Sequence, residues 1–210
     1  MAKTRESAQV LLVAYLLFCL RPAPANAATG CDLSSPDRDV PRLFPGSTSY
    51  TTRYMSLLAD ELSSVVTRLD ARFRGLYDPL NVPYTIYEIY TGKKKVGYIH
   101  GVNQKGQFGG IQVFVSLDLD GRITAFYIQK ITGPSAGTFR TPAFGNQFLG
   151  LSLRDFDSYD PVSGKGSGKL PAIRNPAPDM ETDFYSILRA LKKNLILMDV
   201  FIYSTTRKNP

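Results

Sequence analysis

The chain has 210 residues, with 43% hydrophobic and 20% charged residues, no tryptophan and a formal net charge of +7. That is an ordinary globular composition, long enough for a sizeable core without disulfides. The charges are scattered, with no basic helix or aromatic-interleaved stripe, and this excludes nucleic acid as the expected partner.

The first residues read as a secretory leader. Lys3 and Arg5 precede the apolar run VLLVAYLLFCL, which is followed by Ala25-Asn26-Ala27, a small-x-small cleavage pattern. The run is shorter than the roughly 20 residues that a membrane span needs; an uncleaved N-terminal anchor is the alternative. Loss of residues 1–27 lowers the net charge to +5 and leaves Cys31 as the only cysteine, so no internal disulfide can form. Thr29-Gly30-Cys31 also resembles the end of a bacterial lipobox, and a plain free thiol is the competing expectation. The expected location is periplasmic or otherwise extracytoplasmic, with anchoring through Cys31 or an uncleaved leader as the membrane-bound variant.

Residues 28–48, rich in Ser, Pro, Asp and Gly, are expected to be a linker. Residues 49–83 are expected to be a helical segment: Leu58, Leu62, Val65, Val66, Leu69 and Phe73 recur at helical spacing, which predicts a helix over 51–74. Four strands are predicted next, at 84–90, 96–102, 111–119 and 122–131, with Asp120-Gly121 as a strong hairpin signal between the last two. In the third, Ile111, Val113, Val115, Leu117 and Leu119 alternate with polar residues and Phe114, which predicts one face committed to a core. A Gly/Pro/Ser/Thr loop follows at 132–141. A short helix is predicted at 141–149, with Thr141 as its cap and Pro142 at its first position. A further turn is expected at 153–156.

Residues 161–178 are Gly/Pro-rich. Their GKGSGK lacks Walker spacing and a preceding strand, and reads as a flexible loop. The last helix is predicted over 181–201, with Asp179 as N-cap and a stripe of Phe184, Ile187, Leu188, Leu191, Leu195, Met198 and Ile202. The tail, 204–210, is polar. Together these predict an α+β domain over 84–203: an antiparallel β-meander packed against an N-terminal and a C-terminal helix.

The hairpin and its exit loop resemble a known family. Gly97-Tyr98, Gly109-Gly110-Ile111, Asp118, Asp120-Gly121-Arg122-Ile123, Thr132-Gly133-Pro134, and Phe144 with Gln147-Phe148 and Gly150 follow the pattern of the FMN-binding domain family. That family includes the peripheral flavin subunits of the Rnf and sodium-translocating quinone reductase complexes. The resemblance covers roughly residues 84 to 200. It implies FMN as cofactor and electron transfer with a membrane redox complex or other carrier. It implies a flavin site drawn from Tyr98, Gly133, Pro134, Ser135, Gly137, Thr138, Thr141, Phe144 and Thr182, with Phe139 as a further ring cover. Hydroxyls, Gly-rich turns and a helix start are the donors that a flavin phosphate needs.

The chain departs from the family in two places. Ile131 stands where the family's Glu precedes Thr, and the S-G-A-T flavinylation motif before the last helix is missing. Thr182 is its nearest counterpart, among Asp179, Glu181 and Asp183, which disfavour a phosphate ester there. Non-covalent FMN is therefore expected in preference to covalent, with a flavin-free binding or assembly module on the same fold as the alternative. His100, the only histidine, lies in a strand-like run with no triad or metal-ligand pattern around it and reads as structural.

Overall fold

The structure is a computed structural model that describes residues 31–70 and 79–204. The predicted leader, residues 71–78 of the predicted N-terminal helical segment (with the 71–74 end of its helix) and most of the tail lie outside the described residues.

Five strands form one antiparallel sheet in the order β1-β2-β3-β4-β5. They are β1 (Ser49–Met55), β2 (Tyr84–Thr91), β3 (Lys94–Lys105), β4 (Gly110–Leu117) and β5 (Ile123–Lys130). The helices are α1 (Pro36–Leu43), α2 (Ala59–Leu69), α3 (Pro142–Gly145) and α4 (Glu181–Met198), which runs on into a π-helical turn over Asp199–Tyr203. The α+β meander expected from the sequence is the observed architecture, with one strand more.

That strand corrects the predicted helix over 51–74. Ser49–Met55, SYTTRYM, pairs along its whole length with β2, from Ser49 opposite Tyr90 to Met55 opposite Tyr84. Its Thr and Tyr residues favour a pleated strand. The helix occupies only the central part of the predicted range. Val65 and Leu69 are buried, Leu62 is half-buried, and Leu58 and Val66 are exposed. It ends at Leu69, where Asp70 takes a positive φ of 78°.

The expected linker over 28–48 is also corrected where it is described. Cys31, Leu33, Val40 and Leu43 are buried and pack with Tyr87, Ile89, Ile99 and Phe114 against the sheet. The Leu33 N–H donates to the Tyr87 hydroxyl at 3.1 Å, and the Ser116 hydroxyl donates to the Leu43 carbonyl at 2.9 Å. This segment covers a face of the sheet, so Phe114 and Ser116, on the side of β4 away from the main core, are as buried as Val113 and Val115.

The main core lies on the other face. There α4 carries its predicted stripe, every member of which is buried. Lys193 and Asn194 are buried against β3, and Lys192 is buried under the 151–173 region on another side of the helix. Their polar ends are met by the backbone: Lys192 Nζ donates to the Tyr159 carbonyl, Lys193 Nζ to the Asn103 carbonyl and Asn194 Nδ2 to the His100 carbonyl.

Turn chemistry sets the register of the predicted hairpin. Asp118 Oδ1 accepts from the N–H groups of Asp120 and Arg122, and Gly121 supplies a φ of 78°. Within the lysine run at 93–95, Lys95 pairs with Glu88 at 2.9 Å.

Candidate functional site

Three separate segments converge on the start of α4. The β3–β4 turn reaches it through Asp183, which is 1% exposed and whose Oδ1 accepts the Gln107 N–H at 2.8 Å. A Cβ on Gly106 would lie 2.3 Å from that oxygen, so only glycine lets the turn approach so closely. The second carboxylate oxygen, Oδ2, is buried and has no hydrogen-bond partner among the described residues. Burial pushes the Asp183 carboxyl above its ordinary range, and the Gln107 N–H opposes the shift.

The loop that leaves β5 arrives from another side. Gly133, at a φ of 145°, packs on Met180 and Phe108, with a Cβ position only 2.3 Å from Met180 Cε. The Ser135 hydroxyl donates to Asp179 Oδ2 at 2.8 Å. Asp179 is thus not the N-cap expected from the sequence. It lies in a 3-10 turn, and the cap position belongs to Met180, whose side chain makes no capping bond. The first turn of α4 carries the positive end of the helix dipole without a side-chain cap. Thr182 is exposed in that turn.

The third segment is the Gly-rich loop. It closes on itself through Gly164 N–H to the Asp160 carbonyl and Asp160 N–H to the Lys165 carbonyl. It covers a cavity of about 360 Å³ lined by Tyr159, Leu170, Phe184, Tyr185 and Leu188 with residues 164–166. Gly164 (φ 73°) sits close over Tyr185, where a Cβ would meet the ring at 2.9 Å. Tyr185 is three residues from Thr182, hence on the same helix face. Sequence reasoning missed this cavity, and it missed Gln107, Phe108 and Asp183. The signals were a tyrosine pair flanking a glycine loop, and an acid at the third position of a helix.

The predicted site residues divide into groups. Gly133 and Ser135 come to the turn that precedes α4, Gly133 against Met180 and Ser135 on Asp179. The Thr138 hydroxyl donates to the Ser135 carbonyl and the Thr141 hydroxyl to the Thr138 carbonyl, both at 2.7 Å, so these hydroxyls brace the loop. Thr141 also caps α3, as expected, and faces a different cleft beside β5. Gly137 is exposed, with open space at its Cβ position.

The expected ring covers lie elsewhere. Phe139 and Phe144 are fully buried, and Phe144 packs with Phe126, Phe139, Phe148 and Phe184, which takes up its faces. Tyr98 stands opposite Leu117, itself opposite Ile123 at the start of β5, so it lies at the far end of the sheet from the loop. Its ring meets Tyr203 edge-on at 6.0 Å.

His100 is fully buried, with Nδ1 3.0 Å from Asn194 Oδ1 and Nε2 without a partner among the described residues. Burial pushes its pKa down to about 4 against the opposing Asn194 bond, which keeps the ring neutral. Among the described residues no cluster of His, Cys, Asp and Glu is arranged to hold a metal ion, and no helix is long and apolar enough to cross a membrane.

No family model matches the chain, and no curated protein matches it. Among solved structures, the chain is similar to the crystal structure of Shewanella oneidensis NqrC, at 14% identity over 84% of this chain and 90% of that one, with a TM-score of 0.53. At that identity the likeness is one of fold.

Proposed function

We propose that this fold, which the chain shares with Shewanella oneidensis NqrC, serves here as an FMN-binding domain that exchanges electrons with a membrane redox partner outside the cytoplasm. The hairpin and exit loop that resemble the FMN-binding domain family support the reading from the sequence side. The observation that carries it is the convergence of that exit loop, the β3–β4 turn and the Gly-rich loop on the uncapped start of α4, beside a cavity lined by two tyrosines.

The residues present fit the group. Half-buried Tyr185 offers a ring face at the cavity, with fully buried Tyr159 as its floor, and Lys165 with the first-turn N–H groups of α4 offers donors to a phosphate. Two of the three acids around Thr182 are engaged: Asp183 is buried on Gln107, and Asp179 holds Ser135. Glu181 remains exposed beside Thr182, and this favours non-covalent retention over an ester at Thr182. When bound, the flavin supplies the electron-transfer chemistry, and the chain's residues orient it and exclude water from it.

A second reading, a flavin-free binding or assembly module, draws on a different observation. Thr138 and Thr141 spend their hydroxyls inside their own loop. An absorbance spectrum of the purified protein, before and after acid precipitation, separates the two. The expected result is a band near ~450 nm that moves to the supernatant. A colourless protein that takes up no added FMN would instead support the module.

A further inference from the structure

A second cleft lies along the outer edge of β5, away from the start of α4. It measures about 270 Å³ and is lined by Arg42 and Leu43 of α1, residues 124–128 of β5, and part of the segment after β5, including Arg140, Thr141, Asn146 and Leu149. No Asp or Glu lines it. Its two cations are held in place by the protein. The Arg42 guanidinium lies 4.1 Å over the Tyr127 ring, with one Nη at 3.3 Å from Asp39 Oδ1. Arg140 donates through Nε and Nη2 to the carbonyls of Ile128, Gln129 and Ile131, which caps the end of an edge strand.

The two arginines differ in charge balance. Asp39 shares the charge of Arg42, whereas Arg140 has no carboxylate partner among the described residues. Each retains N–H groups beyond the bonds just named. The Asn146 side chain is exposed and makes no hydrogen bond among the described residues, so it adds an uncommitted donor. Because both guanidinium groups are already ordered, an anion meeting them costs little side-chain entropy. Phe126, Tyr127 and Leu149 give the same cleft an apolar wall.

We infer that this cleft binds a small organic anion, a carboxylate or phosphate monoester with a compact apolar or aromatic body, with Arg42, Arg140 and Asn146 as its polar contacts. At 270 Å³ it takes a body of about one aromatic ring and its acid group. Thr141 and Phe139, which the family resemblance offers to a flavin, line this cleft, but the cavity at the start of α4 to which the flavin is assigned shares no lining residue with it, so the two sites are tested separately.

The test uses the full chain, isotopically labelled, and follows amide shifts during titration with phenyl phosphate, benzoate and inorganic phosphate at constant ionic strength. The expected result is a saturable shift of amides in 124–128 and 140–146 with at least one aromatic anion, at a Kd below ~10 mM. Asn146→Asp and Arg140→Gln should each weaken it about tenfold or more. Asn146→Asp alters an exposed side chain, so it tests the cleft with the fold intact even if Arg140→Gln loosens the edge of β5. Three results would overturn the inference: no saturation, a response that chloride reproduces, or affinity unchanged in Asn146→Asp. Equal affinity for inorganic phosphate and phenyl phosphate would overturn the apolar body. Competition by FMN for the same amides would overturn the separation from the flavin site.

Discussion

The two faces of the sheet are buried by different means. One face carries α4, an 18-residue helix surrounded by core, and tolerates a buried polar set there: His100, Asn194, Lys192, Lys193 and Asp183. The other face is covered by a short helix and an extended lead-in, and its buried cluster around Phe114, Ile89 and Ile99 is mainly apolar. The long helix is packed on several sides, and its buried polar side chains reach carbonyls of the elements around it, at Tyr159, Asn103 and His100. A thin cover of a few residues must rely on apolar contact, because buried polar groups without partners cost stability. The proposed sites follow this division: the proposed flavin region lies at the start of the long helix, and the proposed anion cleft at the margin where the thin cover meets the edge strand.

The largest effect should come from breaking the thin cover. Val40 is 1% exposed, and Val40→Asp places a carboxylate against Tyr87 and Phe114. A loss of more than about 3 kcal/mol is expected in chemical denaturation, comparable to Phe114→Ala. If residues 31–44 were a mere linker, Val40→Asp would be neutral and only Phe114→Ala would destabilise.

The next effect belongs to the helix face and depends on pH. The folded pKa of His100, about 4, lies below its ordinary 6.5. The unfolded chain therefore takes up a proton over a range in which the folded chain does not. The contribution is complete above pH 6.5 and is lost as pH falls towards 4, on the order of 3 kcal/mol in all. His100→Gln should flatten denaturant midpoints between pH 6.5 and 4. An unchanged slope in the variant would mean that other groups carry it. Glu88 titrates separately: its bonds to Lys95, Arg53 and Tyr90 outweigh desolvation and lower its pKa to about 2, so its loss begins below pH 4.5.

The smallest effect concerns Asp183. Its folded pKa is raised, so the carboxylate form is disfavoured in the fold. Any stability linked to its protonation is present at low pH and declines as pH rises through the folded pKa. Asp183→Asn removes the buried charge and keeps an acceptor for Gln107. It should leave stability at pH 7 unchanged or raise it by up to about 1 kcal/mol. A loss above that would mean that the carboxylate itself holds the β3–β4 turn, as measured by thermal denaturation of the two proteins side by side.

The sequence by itself determined the meander, the last helix and the Asp120-Gly121 hairpin. Alternation in IQVFVSLDL, the apolar stripe of 184–202 and turn residues with defined backbone preferences are local signals, and local chemistry enforces them. The same signals ran too far over 51–74, where helical spacing overlaid a Thr/Tyr segment that pairing with β2 turns into a strand. Tertiary structure alone decided that residues 31–44 are a cover, that Phe139 and Phe144 are core, and that Tyr98 stands far from Ser135. It alone brought Gln107, Ser135 and Tyr185 around one helix start. These outcomes depend on which surfaces meet across long stretches of chain. A glycine beside an acid, as at Gly106 and Asp183, shows its purpose only when a backbone N–H 76 residues away from the acid, that of Gln107, comes within hydrogen-bonding distance.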